Sequence, residues 1–199
     1  MTSTTHGTTS IRFLFDPNCP WTWRTSQWMR EIQGQESLHV EWELYTLEWA
    51  NRANLDNPYL PVLRRARPAI RLLELVRRQQ GSHAVSQLYA ALGTARHVHD
   101  ADLGDPEVLR KAASDVRLDP GLVEQALTDE SLDAELEEQY KALDEHKVIG
   151  VPTLFIGDAA PVYGPVIDPV PTGDEARHLW ADVNALSQRP FFYELKRSR

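Results

Sequence analysis

The chain has 199 residues, 42% of them hydrophobic and 25% charged, with a formal net charge of −8 and one cysteine. That length supports a substantial core in one domain, or in one domain carrying a large insertion. The negative balance argues against nucleic acid or an anionic membrane as partner, because phosphates would be repelled; the lone cysteine excludes an internal disulfide and cysteine-rich zinc sites.

Residues 1–10, MTSTTHGTTS, are small and polar, with neither a basic nor an apolar signal region. They are expected to be a disordered lead-in rather than a signal peptide. No apolar run approaches the ~18 residues that span a bilayer, so the expected setting is the reducing cytoplasm. Ile11, Phe13 and Phe15 alternate with Arg12 and Leu14, which predicts a short, mostly buried strand. Asp16-Pro17-Asn18 ends it as a turn cluster. Pro20 then suits a first helical position, where a missing N–H costs nothing. A helix from about 20 to 33 fits Trp21, Trp28 and Ile32 and stops near Gly34. Val40, Trp42 and Leu44 alternate with Glu41 and Glu43 as a half-buried strand.

From 58 to 147 only helices are predicted. One amphipathic segment begins at Ile70, Leu73 and Val76, and a second carries Val85, Leu88, Tyr89 and Leu92. A short helix opening at Asp119-Pro120 carries Leu122, Val123, Ala126 and Leu127. The last of the block carries Leu132, Leu136, Tyr140 and Leu143. Within the block, Arg64, Arg65, Arg67 and Arg71 read as a solvated helix face. Strand signals resume at Thr153 to Ile156, with Val162-Tyr163 as partner. Ala176, Leu179, Trp180, Val183 and Leu186 form a final helix, capped in the region Thr172 to Asp174. The tail RPFFYELKRSR is expected to pack on the body or on another subunit, which hints at a homodimer.

The order is β-α-β, helices, β-β-α, an α/β chain in which removing the helices leaves a thioredoxin-like fold around a mixed sheet. The expected organisation is a lead-in at 1–10, a β-α-β half at 11–57, an inserted helical subdomain at 58–147, and a β-β-α half with its tail at 148–199.

The chemistry centres on DPNCPWTW. Cys19 stands at the predicted start of a helix, where unpaired N–H groups and the positive dipole end lower a thiol pKa and favour the nucleophilic thiolate. Carboxylates close by would oppose the shift, and the sequence does not place Asp16. Val151-Pro152 directly precedes a strand, a position open to proline because no ladder donor is needed there. A cis bond would leave the Val151 amide and carbonyl free to pair with an extended ligand opposite Cys19. In RHVHDAD, His97, His99, Asp100 and Asp102 are not expected to hold a metal, since three or four ligands must converge.

Strand–Cys-Pro-x-x–helix, a long helical insertion and Val-Pro-Thr before a strand resemble the DsbA-like branch of the thioredoxin superfamily. FDPNCPWTW, LYAALG followed by His97, GVPT, YGPV with GDEARHLW, and FFYELKR more narrowly resemble the actinobacterial mycothiol-dependent oxidoreductases and nitroreductases. That family's site is typically Cys-Pro-Trp-Cys, and here Thr22 replaces the second cysteine. The resemblance implies that Cys19 is the nucleophile and that Pro20 and Trp21 tune it and wall its pocket. It makes Val151 and Pro152 the ligand-pairing loop, Asn51 part of a polar patch, and His97 a residue facing the cleft. With no second sulfur, a mixed disulfide on Cys19 needs an external thiol to resolve it, and mycothiol is the implied one. Thr22 would hydrogen-bond the thiolate. The expected function is a monothiol thiol-disulfide oxidoreductase acting on disulfides or electrophilic small molecules, without a metal. Two alternatives stand beside it. One is an enzyme like the kappa-class glutathione transferases and hydroxychromene carboxylate isomerases, which activate a bound thiol. The other is a non-catalytic binding descendant.

Overall fold

The computed structural model describes residues 8–197. A strand, β1 (Thr9–Phe15), runs into a helix, α1 (Pro20–Gln33), and a second strand, β2 (Leu38–Leu44), follows. Strand β1 starts two residues earlier than its apolar pattern implies. Thr9 and Ser10 lie opposite Leu38 and His39 of the parallel β2, so the partner strand sets the start. These two residues therefore belong to the fold, while residues 1–7 of the expected lead-in lie outside the described residues.

Seven helices separate β2 from the next strand: α2 (Leu47–Ala50), α3 (Leu60–Arg65), α4 (Arg67–Gln80), α5 (Ser82–His97), α6 (Pro106–Asp115), α7 (Leu122–Thr128) and α8 (Ser131–Glu145). Then come β3 (Thr153–Ile156), β4 (Val162–Tyr163) and α9 (Gly173–Ser187). The sheet order is β2-β1-β3-β4, with β3 antiparallel to both of its neighbours. Leu14, Phe15, Leu154 and Ile156 are buried, as the short hydrophobic runs of the central strands require. Trp28 and Met29 of α1 cover one face, and Trp28 donates its indole N–H to Ala176 O of α9 at 3.0 Å.

Arg64, Arg65 and Arg67 lie on an exposed face, as expected, where Arg64 and Arg67 pair with Glu48 and Arg65 with Asp102; Arg71 is half-buried and donates to Asp129 O. The N-cap of α9 is Thr172, within the expected region; its side chain accepts no capping hydrogen bond, and the Gly173 N–H donates to Glu31 Oε1 at 3.0 Å, tying α9 to α1. In the tail, Phe191, Tyr193 and Leu195 remain exposed.

Candidate active site

The Asp16-Pro17-Asn18 turn is built around one carboxylate. Asp16 Oδ1 accepts from the Asn18 N–H and Oδ2 from the Leu47 N–H, each at 2.7 Å, while its carbonyl accepts from the Cys19 N–H at 3.1 Å. One buried side chain thus fixes both the corner leaving β1 and the corner leaving β2. Cys19 is the N-cap of α1 in extended conformation, with Pro20 behind it; its own side chain makes no capping bond, and its carbonyl accepts from the Trp23 N–H at 3.0 Å.

Cys19 is only 3% exposed. Burial pushes its thiol above the ordinary value; the Thr22 hydroxyl and amide and the Trp21 amide pull the other way, and the Asp16 charge adds to the rise. This reverses the expectation of a sulfur held ionised by its helix. The N–H groups do favour the thiolate, but removal from water outweighs them.

Two buried hydroxyls close enough to Cys19 to interact with it lack a complete hydrogen bond among the described residues. Thr22 is fully buried and its Oγ1 has no full hydrogen bond among the described residues, although the hydroxyl is close enough to Cys19 to favour its charged form. Tyr89 Oη of α5 is likewise buried without a full hydrogen bond among the described residues; burial raises its proton affinity, the neighbouring Ser26 hydroxyl opposes the rise, and the charges of Cys19 and Asp16 add to it. The Tyr89 ring stacks on Phe15 with centroids 4.1 Å apart. A buried hydroxyl left without a partner costs free energy and points to a group that arrives or ionises later.

Antiparallel pairing of Leu14 with Thr153 brings the start of β3 to the same end of the sheet as the Cys19 corner. There the Val151–Pro152 peptide bond is cis. The Pro152 carbonyl is taken by the Gly164 N–H at 2.8 Å, whereas neither backbone group of Val151 is hydrogen-bonded among the described residues. Alongside lies a trough of about 2390 Å³, lined by Trp21, Val148, Thr153, Pro165, Ile167 and Phe192 among others. Thr25 Oγ1 donates to Pro165 O at 2.7 Å, and Arg24 pairs with Asp168, so α1 holds the far wall.

His97 does not reach into this trough. Its Nε2 lies 3.0 Å from Pro17 O, and its ring stacks on Trp23 with centroids 5.9 Å apart. Burial lowers its proton affinity, so the neutral ring is favoured and holds the turn before Cys19. Arg96 Nε donates to Asn18 Oδ1 at 3.0 Å, adding a second clamp from the same helix end. Asn51 is spent within its own loop, donating to Leu47 O and accepting from Asn57. The structure therefore groups Cys19, Pro20, Trp21 and Thr22 at the sheet end that also carries Val151 and Pro152. His97 acts on that corner through Pro17, and Asn51 stands apart. Sequence reasoning left Asp16 unplaced and read Tyr89 only as an apolar helix position; the turn signal around Asp16 was the available clue. Among the described residues, no group of three or more His, Cys, Asp or Glu side chains is arranged to hold a metal, and no helix is long and apolar enough to cross a membrane.

Among solved structures, the fold is similar to a 2-hydroxychromene-2-carboxylate isomerase (TM-score 0.62, 19% identity, covering 90% of this chain and 95% of that one). It is also similar to a putative protein disulfide isomerase from Nitrosomonas europaea (TM-score 0.60, 16% identity, 92% and 100% covered). A third similar structure is the cytosolic disulfide reductase DsbM from Pseudomonas aeruginosa with GSH (TM-score 0.58, 15% identity, 89% and 100% covered). These likenesses establish a thioredoxin-like α/β fold with inserted helices. Over 192 residues the chain is 30% identical to the uncharacterized protein Rv2286c of Mycobacterium tuberculosis, spanning 96% of this chain and 83% of that one. The family model described as "Rv2466c-like: Mycothiol-dependent nitroreductase Rv2466c" matches residues 18–197, beginning one residue before the cysteine. The chain is therefore a member of the Rv2466c-like mycothiol-dependent nitroreductase family, of thiol oxidoreductase kind.

Proposed function

We infer that this protein is a cytoplasmic monothiol oxidoreductase in which Cys19 attacks a disulfide or an electrophilic small molecule and a low-molecular-weight thiol, mycothiol by family, regenerates it. The observation that carries this reading is the pairing of one buried sulfur with one buried hydroxyl lacking a full hydrogen bond, Thr22 Oγ1, where a dithiol enzyme would hold its second sulfur. The neutral thiol is the resting form, and the thiolate that forms on engagement gains the Thr22 hydroxyl as donor. With a disulfide substrate, the Cys19 sulfur bonds to one substrate sulfur, the substrate S–S bond breaks, and the departing thiolate takes up a proton. A second thiol then attacks the mixed disulfide and frees Cys19, because no internal sulfur can do so. Val151 offers an amide and a carbonyl to the extended part of the ligand, and Trp21 supplies the apolar wall. The exposed aromatics of the tail are the surface on which a homodimer would form.

Incubation with oxidised low-molecular-weight thiol followed by intact-mass measurement tests this directly. The expected result is one thiol adduct, absent in Cys19→Ser; no adduct at neutral pH overturns the reading. A second reading draws on the raised proton affinity of Cys19: Thr22 would then stabilise the sulfur of a bound thiol, and Cys19 would form no bond. In that case Cys19→Ser keeps the thiol-dependent activity, whereas monothiol chemistry loses it.

A further inference from the structure

The segment between β4 and α9 is a strap with few bonds of its own. Residues 165–171 read PVIDPVP, so three of the seven have no backbone N–H to donate. Among the described residues, no backbone–backbone hydrogen bond holds this stretch. Ile167 and Val170 pack against the core and line the same trough as Trp21.

The active-site helix supplies the ties. Thr25 Oγ1 donates to Pro165 O at 2.7 Å, and Arg24 makes an ion pair with Asp168. The Arg24 Nη1 that faces Asp168 is closed off from solvent and makes no aligned hydrogen bond, so charge and enclosure hold the pair. The same guanidinium lies 5.4 Å from the ring centroid of Trp21, three residues earlier on the same helix face. Trp21 stands two residues after Cys19. Where the strap begins, the Gly164 N–H donates to Pro152 O at 2.8 Å. One cation thus connects the aromatic residue of the Cys-Pro-Trp-Thr motif to the strap that follows the Val151–Pro152 region.

We propose that Arg24 is a positioning residue for substrate selection: by pairing with Asp168 and lying over Trp21, it fixes the spacing between that ring and strap 165–171, and so determines which bulky apolar groups reach Cys19. Arg24 touches no reacting atom. The role rests on Cys19 being the nucleophile and Trp21 the pocket wall, and adds what holds that wall in place. The tie is a modest one. The Arg24 and Asp168 side chains are 37% and 57% exposed, and such pairs contribute little to global stability. The strap has no backbone ties to share the load, so a weak tie has leverage there.

Two electrophiles of different bulk test this on the full-length protein. Dithiodipyridine is a neutral disulfide carrying aromatic rings that must pass the trough wall; iodoacetamide is neutral and small. The readout is the ratio of their second-order rates at Cys19, followed by thiopyridone release and by intact mass. A change in Cys19 ionisation moves both rates together and largely cancels in the ratio. In Arg24→Ala the aromatic-to-small ratio falls roughly three- to fivefold, the size that an exposed pair supplies. Asp168→Asn lowers it in the same direction, and the double variant goes no further, because each change removes one shared tie. Arg24→Lys keeps the cation and recovers part of the loss. Asp168 is more than half exposed, so Asp168→Asn folds and carries the test by itself if Arg24→Ala does not. An unchanged ratio in the single variants overturns the proposal, and so do opposite shifts or additive losses, which make the two residues independent. Cys19 that reacts with neither reagent in any protein overturns it together with the nucleophile reading; reaction with both at an unchanged ratio removes the role of Arg24 alone.

Discussion

Thr22 shows how a single hydroxyl can be costly at rest and useful in action. Its Oγ1 is buried without a full hydrogen bond, so replacing Thr22 by the near-isosteric Val removes an unsatisfied group and adds a methyl to a packed site. Stability is expected to stay within about 1 kcal/mol of wild type. The thiolate, however, loses its donor. Hydrogen bonds to charged groups contribute about 1.5–3 kcal/mol, so Thr22→Val should raise the Cys19 midpoint and slow its alkylation near pH 7 by roughly tenfold or more. A thermal melt and a pH–rate profile on the same variant check both halves; a melt that collapses, or a profile that does not move, counts against this role. Thr22→Cys asks the converse question. It restores a Cys-x-x-Cys spacing, and oxidation should then close an internal disulfide, read as the loss of two hydrogens by intact mass and the loss of the mixed thiol adduct. The sequence made the position of Cys19 legible through Pro20 and the preceding turn. It did not make the ionisation legible, because the burial that decides it comes from groups such as Tyr89, which is 70 residues away in the chain.

At the scale of elements, the last turns of α5 hold the reactive corner. Gly93 lets Trp23 lie flat against the helix: a Cβ at Gly93 would sit 2.3 Å from the Trp23 ring. That ring cannot easily yield, since it stacks on His97 and meets Tyr89 edge-on. Gly93→Ala is therefore expected to cost about 1–3 kcal/mol by overpacking, despite the better helix propensity of alanine. It should also shift the Trp23 environment, measurable by urea unfolding and by tryptophan fluorescence; a neutral or stabilising result would show that the contact relaxes. Helix boundaries show which local signals suffice. Asp105-Pro106 opens α6 with a side-chain cap to the Glu107 N–H, whereas at Asp119-Pro120 the same dipeptide caps the Gly121 N–H in a turn and α7 begins only at Leu122. The following residues separate the two cases: glycine after the second proline favours the turn. The His97–Pro17 contact spans 80 positions, so periodicity could identify the helix but not its partner.

Across the whole molecule, Asp144 at the end of α8 joins the helical insertion to the sheet. It accepts from Tyr45 Oη at 2.7 Å, Trp49 Nε1 at 3.0 Å and Arg52 at 2.7 Å, while Tyr45 Oη also lies 3.3 Å from Val148 O in the segment leading to Val151–Pro152. Asp144→Ala takes the acceptor from the half-buried Trp49 Nε1 and leaves Tyr45 Oη only its longer contact to Val148 O, and should cost about 1–3 kcal/mol. Hydrogen exchange would show whether the loosening reaches the 148–152 segment, as the Tyr45 bridge requires; protection lost only in α8 would limit the role to that helix.

Global stability should also carry the signature of the corner in its pH dependence. Asp16 has a folded value of about 6 against an ordinary 3.8, so the folded state binds its proton more tightly than the unfolded state. Its contribution is fully present below about pH 4 and is lost as pH rises through 6, a change of about 3 kcal/mol. His97 works in the opposite sense: burial lowers its proton affinity, so its contribution is lost as pH falls below the ordinary histidine range. Between pH 4 and 6 the two trends oppose each other, so the wild-type curve should be shallower there than the Asp16 trend alone. Asp16→Asn removes one of them. Its stability relative to wild type should therefore improve as pH rises from 4 to 7, and His97→Gln should tilt the curve the other way. Urea midpoints at half-unit pH intervals for the three proteins separate the trends; parallel curves would mean that neither group changes its proton affinity on folding, and the account of Asp16 as a costly buried anion would fall with them.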